Sequence, residues 1–256
     1  MAFQISPGVN VSEVDLTTVV PSTLTTSGAF AGRFQWGPAN KIKLVDSEIT
    51  LTKTFGEPNS NTATAFFTCS NFLAYGNNLQ VVRVLGSGTL NADANTSQAN
   101  IQITNEDTYE ASYLNVSSSN LYGPFAARYA GALGNSIKVE VFDSANTTLF
   151  NSWAYKSYFT STPGTSAQAT AAGGSNDEMH IIVVDAGGLI TGVPGTVLET
   201  YPFTSKASDA TLNGASTYYK QAIFNNSKYI YVMDPVDYAN TNATWGSASS
   251  TSFARI

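Results

Sequence analysis

The chain opens on an alternation. Val9, Val11 and Glu13 fall on one side of an extended segment, and Asn10, Ser12 and Val14 fall on the other. Pro7 and Gly8 supply the turn before it, and no hairpin signal comes after it to bring back a partner strand. Leu16, Thr17, Thr18, Val19 and Val20 continue as an extended, largely β-branched tether, with Val20 held out of helix by Pro21. A terminal strand without a local partner must satisfy its backbone groups elsewhere. The two options are its own domain's sheet and the sheet of another subunit.

Beyond Pro21 the pattern turns to alternating strand and helix. Residues 27–34 read as a buried strand with small residues where another element packs closely, ended by Gly37-Pro38. Residues 41–45 read as a short second strand. Ser47 is placed to cap a helix running to Phe55, with Gly56 as its stop. A longer helix opens at Asn61 or Thr62, where Ala63, Phe66, Phe67, Ser70, Leu73 and Ala74 recur at helical spacing up to Gly76. Cys69 lies beside this stripe and, with no histidine near it in sequence, reads as a small buried hydrophobe. Residues 79–85 are the next strand, so strand, helix and strand make half of an open α/β layer.

Residues 86–195 have a different texture. Short runs at 99–103, 113–116, 136–142 and 180–185 are broken by Gly, Asn, Ser and Thr clusters, and 161–175 is a low-complexity loop. From residue 197 the α/β texture returns. Ser216 caps a helix carrying Tyr219, Ala222 and Ile223, and residues 229–233 form a strand stopped by Asp234-Pro235. Residues 240–252 read as unable to form a core element. The expected fold class is α+β or mixed α/β, multidomain. An extended N-terminal β arm (1–20) precedes an α/β layer (21–90 and 197–256) interrupted by an inserted all-β domain (91–196). That layer has too few strands to close by Ile256.

Composition removes several function classes. Charged residues make up 12% of the 256, about half the roughly 25% usual for soluble proteins. Ser, Thr, Asn and Gly take their place, which suits an assembly protein rich in strands and turns. A net charge of −6 without a Lys/Arg cluster argues against nucleic-acid binding. The single cysteine forms no internal disulfide. No signal-peptide pattern opens the chain, and no apolar run approaches the ~20 residues of a membrane helix. The expectation is a soluble protein, made in a cytoplasm, with no direct membrane insertion.

The candidate chemistry is sparse. His180, the lone histidine, starts an apolar β-run and reads as structural, since a catalytic base requires an orienting carboxylate and a nucleophile. Glu106-Asp107 and Asp177-Glu178 read as solvated turn residues, because neighbours on a strand face opposite ways. The glycines of 131–135 and 187–188 lack the pattern of a phosphate loop and read as turns. One His and one Cys leave no N/S zinc set. No catalytic, metal or cofactor site is expected.

Six segments carry a resemblance: SPGVNVSEVD (6–15), GAFAGRFQWGP (28–38), NFLAYGNNLQVVRV (71–84), FAARYAGALGNSIKVEVF (125–142), HIIVVDAGGLITGVPGTVLETYPFTSKASDA (180–210) and YYKQAIFNNSKYIYVM (218–233). Together, and in this order, they resemble contractile tail sheath proteins of myoviruses, in the T4-like branch. The resemblance implies a non-enzymatic structural subunit of a phage virion, assembled in the host bacterial cytoplasm. Such subunits stack as hexameric rings around a tail tube and contract to drive it through the host envelope. The implied partners are neighbouring sheath subunits, the tail tube protein, and the baseplate and tail terminator proteins. In that family, terminal arms add strands to neighbours' sheets. This assigns Val9, Asn10, Val11, Ser12, Glu13 and Val14 as the donated strand, and Leu16, Thr17, Thr18, Val19 and Val20 as its tether. The family's C-terminal domain has no counterpart here, so the resemblance is to the N-terminal portion of a subunit. Two rival readings rest on residues alone: a sugar-binding adhesin or receptor-binding module, from the Asn/Thr-rich insertion and its tyrosines, and a hydrolase on a β scaffold.

Overall fold

A computed structural model describes residues 26–94, 101–114, 123–233, 247–249 and 252–253. The arm, with its strand Val9–Val14 and its tether, lies outside the described residues, as does Asp234-Pro235.

The first sheet holds β1 (Ser27–Gly32), β2 (Ile42–Val45) and β3 (Asn78–Arg83) in the order β1-β3-β2. β1 runs parallel to β3, from Ser27 opposite Asn78 to Gly32 opposite Arg83, and β2 is antiparallel to β3. The crossover carries α1 (Glu48–Phe55) and α2 (Ala63–Leu73). α1 starts where expected, because the Ser47 hydroxyl accepts from the Thr50 N–H at 3.3 Å, and it stops at Gly56. In α2 the inward residues are Phe66 and Cys69, whereas Phe67 is exposed, so the apolar stripe is turned from the expected one. Gly28 and Gly32 explain the close approach of this helix. A Cβ on Gly28 would come within 2.7 Å of the Phe72 ring, and one on Gly32 within 3.3 Å of Ala65. The small residues of β1 are where α2 lies down, over a core of Phe34, Val45, Leu51, Phe55, Phe66, Cys69, Leu79 and Val81.

Residues 91–196 depart from the all-β expectation. Alongside β4 (Phe125–Ala127), β5 (Ile137–Phe142) and β6 (Glu178–Asp185) they carry α3 (Glu106–Ser112), α4 (Thr147–Ser152) and α5 (Ala167–Ala171). Each of these helices starts at a side-chain cap and turns one residue into a core: Tyr109, Phe150 and Ala169. Asn105, Asn146 and Ser166 accept hydrogen bonds from backbone N–H groups of the turns after them, so residues read as strand breakers are helix caps. The low-complexity loop 161–175 contains one of these helices.

β7 (Thr196–Ser205) pairs with β6, and the antiparallel sheet β5-β6-β7 therefore crosses the expected boundary at 196. Next come the hairpin of β8 (Thr211–Leu212) and β9 (Ala215–Ser216), then α6 (Tyr219–Asn226) and β10 (Ile230–Val232), which pairs with β4. Asn213 and Gly214, at φ 51° and 81°, make the hairpin turn. Ser216 belongs to β9 and does not cap α6; its hydroxyl accepts from the Tyr218 N–H instead. One core unites Phe125, Met179, Ile181, Val183, Tyr201, Tyr219, Ile223, Ile230 and Val232. Residues on both sides of 196 thus share a sheet and a core. A second expectation is corrected at Ala248, the one described residue of 240–252 that enters a core: it is fully buried with Ala169, Ala207, Ala210 and, just past that range, Phe253.

Candidate functional site

Helices cover one face of the first sheet and leave the other open. By alternation Gly28, Phe30, Gly32, Leu79, Val81 and Val45 face α1 and α2. The opposite face carries Ala29 and Ala31, Gln80 and Val82, and Ile42 and Leu44. The register aligns Ala31, Val82 and Ile42 in one apolar row and Ala29, Gln80 and Leu44 in the next. Ile42 and Leu44 are each 63% exposed. Parallel strand pairs are ordinarily covered on both faces. Among the described residues this face is bare, and the outer edge of β1 pairs with no strand.

Arg83, at the end of β3, ties this sheet to the rest of the molecule. Its buried guanidinium donates to the carbonyl oxygens of Phe34 (2.9 Å), Gly37 (2.8 Å), Gln35 (3.1 Å) and Ala130 (2.6 Å). Burial pushes its pKa down to about 10, so it remains charged at neutral pH. Arg128 plays the matching part on the other side. It donates to the Ser227 carbonyl at the end of α6 (2.6 Å), pairs with Glu106 (3.0 Å) and lies 4.6 Å over the Tyr231 ring. Glu106 and Asp107 are therefore first-turn residues of α3 with cationic partners, Asp107 meeting Lys41 at 2.9 Å, and not turn residues facing water alone. Neither arginine was singled out in the sequence. The one available signal for Arg83 was a lone charge inside an apolar strand run.

The other sequence candidates are structural. His180 is fully buried: its Nδ1 accepts from the Phe203 N–H (3.1 Å) and its Nε2 donates to the Ser161 carbonyl (2.8 Å). Its ring stacks on Phe159 at 4.3 Å and sits at a register shift between β6 and β7. Asp177 is buried as well, correcting its reading as a solvated turn residue. It accepts from the Ser166 N–H (2.7 Å) and the Ser205 hydroxyl (2.6 Å). Glu178 accepts from the Gly164 N–H, while burial raises its carboxyl pKa. Burial pushes the Cys69 thiol up to about 11, which leaves it protonated and unreactive at neutral pH. Gly131 precedes a 3₁₀ turn over Ala132–Ser136, and Gly187-Gly188 lie in the β6–β7 loop. Among the described residues no set of three His, Cys, Asp or Glu is placed to hold a metal.

His180 predicts an acid-side loss of stability. Burial lowers its folded pKa below the usual 6.5, with the Ser161 hydrogen bond opposing, so the unfolded chain takes up the proton first. Stability is then complete above that pH and falls as pH drops below it. Thermal melts at pH 7.5 and 5.5 are expected to show a lower Tm at 5.5, and His180→Asn is expected to flatten the difference while lowering both. Because the chain has one histidine, an equal slope in the variant would remove His180 as the cause.

Residues 28–84, spanning the open-faced sheet and its two helices, match the family model described as "Tail sheath protein Gp18 domain III N-terminal region". The tail sheath protein of Salmonella phage ViI is 33% identical over 197 residues, 77% of this chain. This chain belongs to the phage tail sheath family. The sheath protein of Enterobacteria phage T4 is 45% identical over 85 residues, 33% of this chain. The matched stretches make up 28% of the ViI protein and 13% of the T4 protein, so this sheath chain spans less than a third of those relatives. A solved structure, the sheath tail protein Lin1278 from Listeria innocua, covers 80% of this chain and 30% of its own at 13% identity. Its TM-score of 0.37 is too low to bear on the fold. The sheath family is structural, not enzymatic, in agreement with the reading of the residues.

Proposed function

We propose that this chain is the N-terminal portion of a subunit of a contractile phage tail sheath. Subunits stack as hexameric rings around the tail tube and contract to drive it through the host envelope. The observation that carries the reading is the sheath-domain match over residues 28–84, on a sheet whose one face is largely apolar and, among the described residues, bare. Residues 9–14 act as a strand donated to a neighbouring subunit through main-chain hydrogen bonds, and residues 16–20 as the tether that lets subunits move while remaining joined. The stretch 91–196 faces outward. The tube protein, the baseplate and the tail terminator are the further partners, and the site of assembly is the host cytoplasm.

The adhesin reading draws no support from Trp153, although Tyr158 in the same stretch is exposed. A sugar platform needs an aromatic face open to solvent, whereas Trp153 is stacked between Phe142 (5.0 Å) and Phe159 (5.2 Å), with its indole N–H donated to Glu140. Negative-stain electron microscopy of the natural-length protein, with an intact mass on the same sample, tests the proposal. Tubes or six-fold rings are expected; a monodisperse particle at every concentration would rule the sheath role out.

A further inference from the structure

The loop over residues 186–195, between β6 and β7, is held from beneath by two buried polar side chains. Asp185 accepts from the Ile190 N–H (3.0 Å), the Thr191 N–H (2.7 Å) and the Thr191 hydroxyl (2.8 Å). The Ser136 hydroxyl accepts from the Gly187 and Leu189 N–H groups, both at 3.1 Å, and donates to Asp185. Burial alone would raise the Asp185 pKa. The bonds from Ser136, Thr191 and Ile190 outweigh it and keep the carboxylate below its usual range, hence ionised at neutral pH. Gly188, at φ 73°, closes the loop on Pro194, whose ring nitrogen would lie 2.7 Å from a Cβ at that position.

This rigid frame presents Leu189 and Val193 to solvent at 57% and 62% exposure. No charged residue occurs between Asp185 and Glu199. Ordering a loop around buried polar anchors while its aliphatic side chains point to water is the preorganisation expected of a contact surface. Two aliphatic side chains fall far short of the ~1,200 Å² that a stable free-standing pair buries. Such a tip cannot hold a soluble partner by itself, but it suits a contact repeated between copies already linked by other means. Its lack of charge also suits a chain of net charge −6, whose copies repel one another elsewhere.

We infer that the 186–195 loop is a contact between copies of this chain, with Leu189 and Val193 seated on an apolar patch of the neighbouring subunit. The inference rests on the sheath reading. The test uses the natural-length protein as wild type, as L189D/V193D and as the conservative L189M/V193I. The Asp variant is expected to keep its Tm and to raise the critical concentration for polymerisation at least tenfold, with the conservative variant polymerising normally. Hydroxyl-radical footprinting of wild-type polymer against unpolymerised subunit is expected to show Leu189 and Val193 protected, and it decides the matter if the Asp variant loses Tm. Unchanged polymerisation of a folded Asp variant, or side chains left unprotected in the polymer, overturns the contact while leaving the sheath role standing. Wild-type protein that never polymerises overturns both.

Discussion

Replacing Arg83 with alanine is expected to destabilise the fold by about 4 kcal/mol, among the largest effects of any single substitution in this chain. Its guanidinium satisfies four carbonyl oxygens, three from the loop after β1 and one, Ala130, from the segment between β4 and β5. Hydrogen bonds from a charged donor contribute roughly 1.5–3 kcal/mol each, and the cost of burying the charge offsets part of their sum. Alanine leaves a cavity and the carbonyls without their donor. Lysine keeps the charge but offers a point donor in place of a planar fork, so Arg83→Lys is expected to fall between wild type and Arg83→Ala. Urea titration by far-UV circular dichroism measures all three. A loss below about 1 kcal/mol for the alanine variant would mean that water replaces the guanidinium, and that it does not hold the two segments together.

Deleting residues 1–20 is expected to leave stability almost unchanged and to abolish polymerisation. If Val9, Asn10, Val11, Ser12, Glu13 and Val14 are the strand that joins neighbours, removing them takes away main-chain hydrogen bonds between subunits and nothing from inside one. The check is a melting curve beside electron microscopy of the natural-length protein with and without the deletion. Polymers of normal length from the truncated protein would end the arm assignment; a large fall in Tm would return the strand to its own domain's sheet.

The two experiments probe different links. The first concerns packing inside a subunit, where a buried cation organises backbone that no strand or helix satisfies. The second tests the proposed adhesion between subunits, in which backbone groups of a terminal segment would find partners outside their own chain. The proposed role would require both: a body that does not deform and a link that does not break.

Some elements were legible in the sequence because their causes are local. Ser47 and Gly56 delimit α1, Val81 and its neighbours form β3, and the spacing from β1 to β3 gives the crossover. A cap, a stop or an alternation acts within a few residues, so reading the chain in order recovers it. The family was legible for a related reason, since six segments in a fixed order are a property of the chain itself.

Where the cause lies far along the chain, the residues alone misled. Asn105, Asn146 and Ser166 served as caps where strand breaks were expected, because the segment after each becomes helical only when Tyr109, Phe150 and Ala169 have a core to enter. Asp177 is buried because Ser205, distant in sequence, offers it a hydroxyl. The bare face of the first sheet, the carbonyl cage around Arg83 and the rigid tip at Leu189 and Val193 are likewise products of long-range packing. Local chemistry writes caps, turns and periodicity into the chain, whereas burial of a charge and exposure of an apolar side chain depend on which distant segments meet, and that is fixed only when the chain folds.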